Sequence, residues 1–147
     1  RPIPPTSTKV HRIDDAMVAK APTFAAARAG FHAFASGGVI VAHNAPFDMA
    51  FLHRDGLAPA FDHPVLDTVH LSAIVFGGSA EHTLDAICAR LQIEIPAELR
   101  HTALGDAMAT AQALVAMIPI LEARDLSHFG EVRAEMQKHR RILRVQS

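Results

Sequence analysis

The sequence predicts an α/β domain with a parallel layer of strands. Residues 39–42, Val-Ile-Val-Ala, and 64–66, Pro-Val-Leu, are short, continuous apolar runs rather than alternating ones. That is the pattern of strands covered on both faces. Each is followed at once by a segment of helical character, and strands alternating with helices argue for a parallel sheet. With 147 residues, half of them apolar and a fifth charged, the chain suffices for one domain with a real core.

Residues 1–10 are rich in Pro, Thr and Ser and read as an extended, irregular lead-in. Thr23 is a fair N-cap for an Ala-rich helix over 24–35, where Phe24, Phe31 and Phe34 recur near the helical period and Gly37-Gly38 stops it. After the first strand, Pro46 suits the first turn of a helix and Ala45 is the expected N-cap. Phe47, Phe51 and Leu52 supply its buried face, and Gly56 ends it. Asp67 caps a helix over 68–76, which Gly77-Gly78 breaks. Thr83 caps the next, with Leu84, Ile87, Cys88 and Leu91 on one face.

His101 and Thr102 introduce a long Ala-rich helix that Pro119 should kink or divide. Ser127 caps a last helix over 129–143, with an apolar stripe of Phe129, Val132, Met136 and Leu143. Arg133, Lys138, Arg140, Arg141 and Arg144 occupy its other faces. Residues 1–126 thus form the main domain, and 127–147 a basic amphipathic helix or linker. Two strands make a thin sheet. Buried on both faces, they belong to a larger one, and this follows from the pattern alone.

A net charge of −1 gives no global attraction for nucleic acid, so any such contact is local and suits a short strand end. Cys88 is the only cysteine, which excludes an internal disulfide framework and fits a reducing, cytoplasmic setting. No apolar run is expected to approach the roughly 20 residues that span a bilayer.

Two clusters could carry chemistry. In His43-Asn44-Ala45-Pro46-Phe47-Asp48 a buried strand delivers polar residues to its C-terminal end, where ligands bind in open α/β sheets. Asp48 falls in the first turn of the next helix, where an acid is also favourable simply for the helix dipole. In the second cluster, a Thr102 cap puts His101 at N′ and Asp106 at N4, positions whose side chains meet. An imidazole beside a carboxylate suits a general base next to a metal ligand. The alternative is an exposed ion pair worth under ~1 kcal/mol. Asp67 and Asp85 read as a helix cap and a first-turn acid, and Cys88 as a small buried residue. His32, His53, His63 and His70 share no evident task, and no HExxH or Cys/His zinc spacing occurs.

Together these clusters resemble the second and third motifs of the DnaQ-like exonucleases, in Val41–Leu52 and His101–Ala107. Leu66-Asp67-Thr68, Thr83–Cys88 and the upstream Val10-His11-Arg12-Ile13 match the family's habits in order and spacing, so the resemblance covers roughly residues 5–120. It implies a ribonuclease H-like exonuclease fold, in which four carboxylates hold two divalent cations, Mg2+ or Mn2+, and a His or Tyr activates water. With no Tyr in the chain, the histidine (DEDDh) subtype is implied. His101 is then the general base, Asp106 a direct metal ligand, and Asp48 a ligand acting on the second metal through water. His11, His43, Asn44 and Phe47 contact the terminal nucleotide.

The implied activity is 3′→5′ removal of nucleotides from single-stranded DNA, of the proofreading type. RNA as substrate, or a non-catalytic interaction module on the same fold, are the alternatives. A DNA polymerase subunit or a further domain is the implied partner, and no membrane is. The family's first motif, Asp-x-Glu, does not occur in these residues. The expectation is therefore a fold truncated by its first three strands, lacking two of the four carboxylates and inactive by itself. The exposed edge of the first strand should be covered by a second chain, by residues 1–10 or by residues outside the sequence.

Overall fold

The computed structural model describes residues 2–54 and 60–139. The lead-in is helical rather than extended: α1 spans Pro5–His11 and α2 spans Asp15–Val18. Pro5 starts α1 where its missing N–H is not needed. Arg12 closes it in the left-handed region, φ 59°, with its N–H on the Thr8 carbonyl. Asp14 caps α2 by accepting from Met17 N at 2.9 Å, and Asp15 accepts from Ile3 N at 2.9 Å. These local caps overrode a composition that suggested a loop.

Helix α3, Phe24–Phe34, is capped by Thr23 as expected. Its recurring phenylalanines are all exposed, and the one buried residue is Arg28. The Arg28 Nε donates to the Leu52 carbonyl at 2.6 Å and its guanidinium lies 5.6 Å from the Phe61 ring centroid. Strand β1, Ile40–Ala42, runs parallel to β2, Val65–Asp67, with Ile40 opposite Val65, Val41 opposite Leu66 and Ala42 opposite Asp67. Among the described residues the sheet has these two strands, matching the α/β expectation.

Between them lies α4, Ala45–Leu52. Its N-cap is Asn44, not Ala45, at φ 61°, a left-handed conformation that Asn tolerates. The expected buried face is also displaced. Phe47 is 66% and Phe51 54% exposed, whereas Ala45 is buried and Met49 and Leu52 are half-buried. Gly56, expected to end this helix, lies outside the described residues.

Helices α5 (Thr68–Phe76), α6 (Leu84–Leu91), α7 (Ala103–Glu122) and α8 (Phe129–Lys138) complete the order. Every residue of α5 from Thr68 to Val75 is buried, so this helix is the centre of the core. Leu71, Ile74 and Val75 pack with Ile87 of α6, Met117 and Leu121 of α7, and Val132 and Met136 of α8. Arg124 donates to the carbonyls of Ile74 and Val75, satisfying the C-terminus of α5. The α8 cap is His128 rather than Ser127, and the Glu131 carboxylate accepts from both of their N–H groups at 3.0 and 2.9 Å. Leu143, Arg140, Arg141 and Arg144 lie outside the described residues.

Pro119 does not divide α7. It falls in the last turn, where it forfeits one N–H and the helix continues to Glu122. Contrary to the expectation of no long apolar run, α7 has the length and composition to cross a membrane. Burial accounts for one side of it, where Ala109, Ala113, Met117 and Leu121 face the core. On the opposite side Leu104, Met108, Val115 and Ile118 form an exposed apolar stripe.

Inside the core, Ser72 Oγ and His82 Nδ1 are 2.9 Å apart, and both residues are fully buried. Burial, with Arg90 adding to it, holds the His82 pKa below its ordinary 6.5. The unfolded chain therefore takes up a proton at higher pH than the folded one. The contribution of His82 to stability is full above about pH 6.5 and is lost as pH falls from there through the lower folded value. Urea unfolding between pH 7.5 and 5 should show this fall, and His82→Gln should flatten it.

Candidate functional site

The site is built where β1 and β2 end. Side by side, Ala42 and Asp67 close the strand pair; β2 runs straight into α5, and β1 reaches α4 through a two-residue turn. His43 and Asn44 follow β1, and Asp48 lies in the first turn of α4. Helix α7, which also packs on β1, brings Asp106 in its own first turn. His43 is the meeting point. Its pKa is lowered by burial, against the opposing fields of the Asp67, Asp106 and Asp48 carboxylates. Acids from three separate elements thus act on one imidazole that is neutral at pH 7. Loss of water on its inward side raises the Asp48 carboxyl, its own backbone hydrogen bond opposes this, Asp67 adds to it and His43 counters it.

His101 sits just before the Thr102 cap, which accepts from Gly105 N at 3.1 Å and donates to the Leu99 carbonyl at 2.7 Å. The expected His101–Asp106 contact is not formed: no hydrogen bond or ion pair within 4.0 Å joins them. His101 takes a left-handed backbone, φ 59°. Both nevertheless line one cavity of about 350 Å3 between α6 and α7, floored by Leu84, Cys88 and Ile93. Arg100 pairs with Asp85 at 3.0 Å beside it. Burial, with Asp85 adding, raises the Cys88 thiol, so it stays protonated and serves as wall.

The remaining predicted residues are placed as follows. Phe47 is exposed and meets Phe51 edge to face at 5.4 Å, an aromatic surface on which a base can stack. His11 ends α1, its Nδ1 accepting from Ile13 N at 3.0 Å. The next residue, Arg12, donates to the Glu98 carbonyl at 3.1 Å, tying this segment to the loop before His101. No hydrogen bond links His11 to His43 or Asn44. His32 and His63, given no shared task from sequence, meet at 3.1 Å beside Phe61, away from the acids.

Sequence reasoning undervalued Asp67. It does cap α5, accepting from Val69 N at 2.9 Å. It also accepts from Asn44 N at 3.1 Å and Ala45 N at 2.8 Å, across the strand pair. The only available signal was its place at a strand end, which a cap explains equally well. As for a metal, the oxygen ligands Asp48 and Asp106 suit a hard divalent cation. Among the described residues, however, no group of three or more His, Cys, Asp or Glu side chains could hold one. These two acids do not by themselves make up such a site.

An α/β domain with acids converging at parallel strand ends is a common hydrolase arrangement, and comparison with known proteins narrows it. The Exonuclease model of the RNase T type matches residues 1–114. A DNA polymerase III subunit epsilon-like protein of Rhodobacter capsulatus is 56% identical over 146 residues, covering 98% of this chain and 21% of that protein. The DNA polymerase III subunit epsilon of Treponema pallidum is 32% identical over 121 residues, 80% of this chain and 56% of that one. A PolC-type DNA polymerase III of Halalkalibacterium halodurans is 32% identical over 139 residues, 92% of this chain and 10% of its own length. The chain belongs to this exonuclease family, in its DnaQ-like, epsilon-like branch. It spans only a fraction of each of these relatives.

Proposed function

We propose that these residues form the larger part of a 3′→5′ exonuclease that removes nucleotides from single-stranded DNA ends, in association with DNA polymerase III. The observation that carries this is that Asp48 of α4 and Asp106 of α7 both act electrostatically on the half-buried His43 at the end of β1. The names of the relatives favour DNA over RNA and a polymerase assembly as partner. Residues 1–126 are the exonuclease body, followed by the basic amphipathic helix or linker of 127–147, of which α8 covers Phe129–Lys138.

Asp106 and Asp48 would contribute ligands to divalent cations, Mg2+ or Mn2+, which would supply stabilisation of charge on the phosphate and a more acidic water. His101 accepts the proton of the attacking water as its oxygen bonds to the terminal phosphorus, and the 3′-oxygen of the preceding nucleotide leaves. Phe47 stacks on the terminal base, while His11, His43 and Asn44 bind its sugar and phosphate. The protein resides in the cytoplasm with its replication partner.

Two further carboxylates come from strands outside these residues. The exposed stripe on α7 and the thinness of the two-stranded sheet support this reading, since such strands extend the sheet past β1 and cover the stripe. The 147-residue chain alone should release no mononucleotide from labelled single-stranded DNA with Mg2+ or Mn2+. A longer protein including the Asp-x-Glu segment should do so, and His101→Ala in it should lower kcat about a thousandfold. Robust metal-dependent release by the short chain, or full activity without His101, overturns the assignment.

A further inference from the structure

Helix α4 presents a puzzle of satisfaction. Its N-cap, Asn44, makes no side-chain capping bond, and its left-handed backbone turns the chain sharply off β1. The first N–H groups of a helix need acceptors. Here they find one carboxylate from a different element. Asp67 Oδ2 accepts from Ala45 N, and Oδ1 accepts from Asn44 N and from Val69 N of its own helix. A carboxylate only 3% exposed is thus shared between the N-termini of α4 and α5, whose dipoles both favour its charge.

The neighbouring residue acts on the side chain. Thr68 Oγ1 donates its single proton to the Ala42 carbonyl at 3.3 Å. The same oxygen lies 2.9 Å from His43 Nδ1; with the hydroxyl proton on the Ala42 carbonyl, this contact favours the Nδ1–H tautomer of His43 and leaves its Nε2 lone pair for other contacts.

We propose that Asp67 and Thr68 are the positioning residues of this site: Asp67 fixes the backbone of Asn44-Ala45, and Thr68 fixes the orientation and tautomer of His43. Their role in catalysis rests on the exonuclease reading above, but the positioning itself is readable without activity. Both act through the β1–α4 turn that carries the predicted nucleotide contacts.

The test is by NMR on the whole chain. Long-range 1H–15N spectra of His43 at pH 7.5 should show the Nδ1–H form in the parent protein. Thr68→Val, which keeps the shape and loses the hydroxyl, should move His43 to a mixed or Nε2–H population, and Thr68→Ser should restore the parent spectrum. Asp67→Asn should lower hydrogen-exchange protection of the Ala45 amide about tenfold. Protection of Ile87 and Met117 in the core should stay as it was. If Asp67→Asn does not fold, the threonine pair still decides. An unchanged His43 spectrum in Thr68→Val, or equal protection loss at Ala45 and throughout the core in Asp67→Asn, overturns the proposal. A correct NMR result in a protein whose longer form has no nuclease activity would leave the positioning intact and reject only the function.

Discussion

Replacing Gly105 with alanine should destabilise the protein by about 3 kcal/mol, although alanine is the better helix former. A Cβ at this position would lie 2.0 Å from the Leu99 carbonyl oxygen and 2.7 Å from its carbon. These are backbone atoms and cannot swing aside as a side-chain tip does. The same carbonyl accepts from the Thr102 N–H at 3.1 Å and from its hydroxyl at 2.7 Å. Pushing Leu99 away would therefore break the turn that presents His101. Gly30 is the control, since it too lies in a helix and its added Cβ meets nothing within 4 Å. Gly30→Ala should stabilise by about 0.5 kcal/mol. Urea midpoints of the two variants against the parent check both signs, and equal effects would show that the close approach at Leu99 is unimportant.

Leu71→Ala should cost about 3 kcal/mol. Leu71 is fully buried in α5, among residues from α6, α7 and α8, so no surface chain can collapse into the space it leaves. Because α5 begins with Thr68, a loosened α5 should also loosen the turn holding His43. Val115→Ala removes a similar side chain from the exposed face of α7 and should change stability by under about 0.5 kcal/mol in this chain. In a longer protein that, as proposed above, adds strands over this stripe, the same substitution should become clearly destabilising. Chemical unfolding of both proteins reads the difference directly.

Much of the fold was legible because its signals are local. Thr23, Asp67, Thr83 and Thr102 each cap the helix they were expected to cap, since the bond lies within three residues of the cap. The two strands showed as apolar runs too short for helices. The readings that failed depended on distant groups. Asn44 replaces Ala45 as cap because Asp67, more than twenty residues away, supplies the acceptors. Phe47 and Phe51 were expected inside on apolarity alone, but α4 packs through Ala45, Met49 and Leu52 and leaves the rings outside. The N-terminal helix was hidden because Pro and Thr are turn formers until a Pro falls at a helix start.

For the site, the sequence by itself determined the residue types and their order: a histidine and an acid after the first strand, and another such pair opening the long helix. Their spacing within one element is local geometry, and with the other motifs it was enough to mark the exonuclease family. Only the tertiary structure decided that Asp48 and Asp106 act on the same imidazole. It also decided that His101 and Asp106 stay apart, and that Asp67 is a clamp as well as a cap. These depend on how α4, α5 and α7 pack around a parallel strand pair, and such long-range packing has no fixed spacing along the chain.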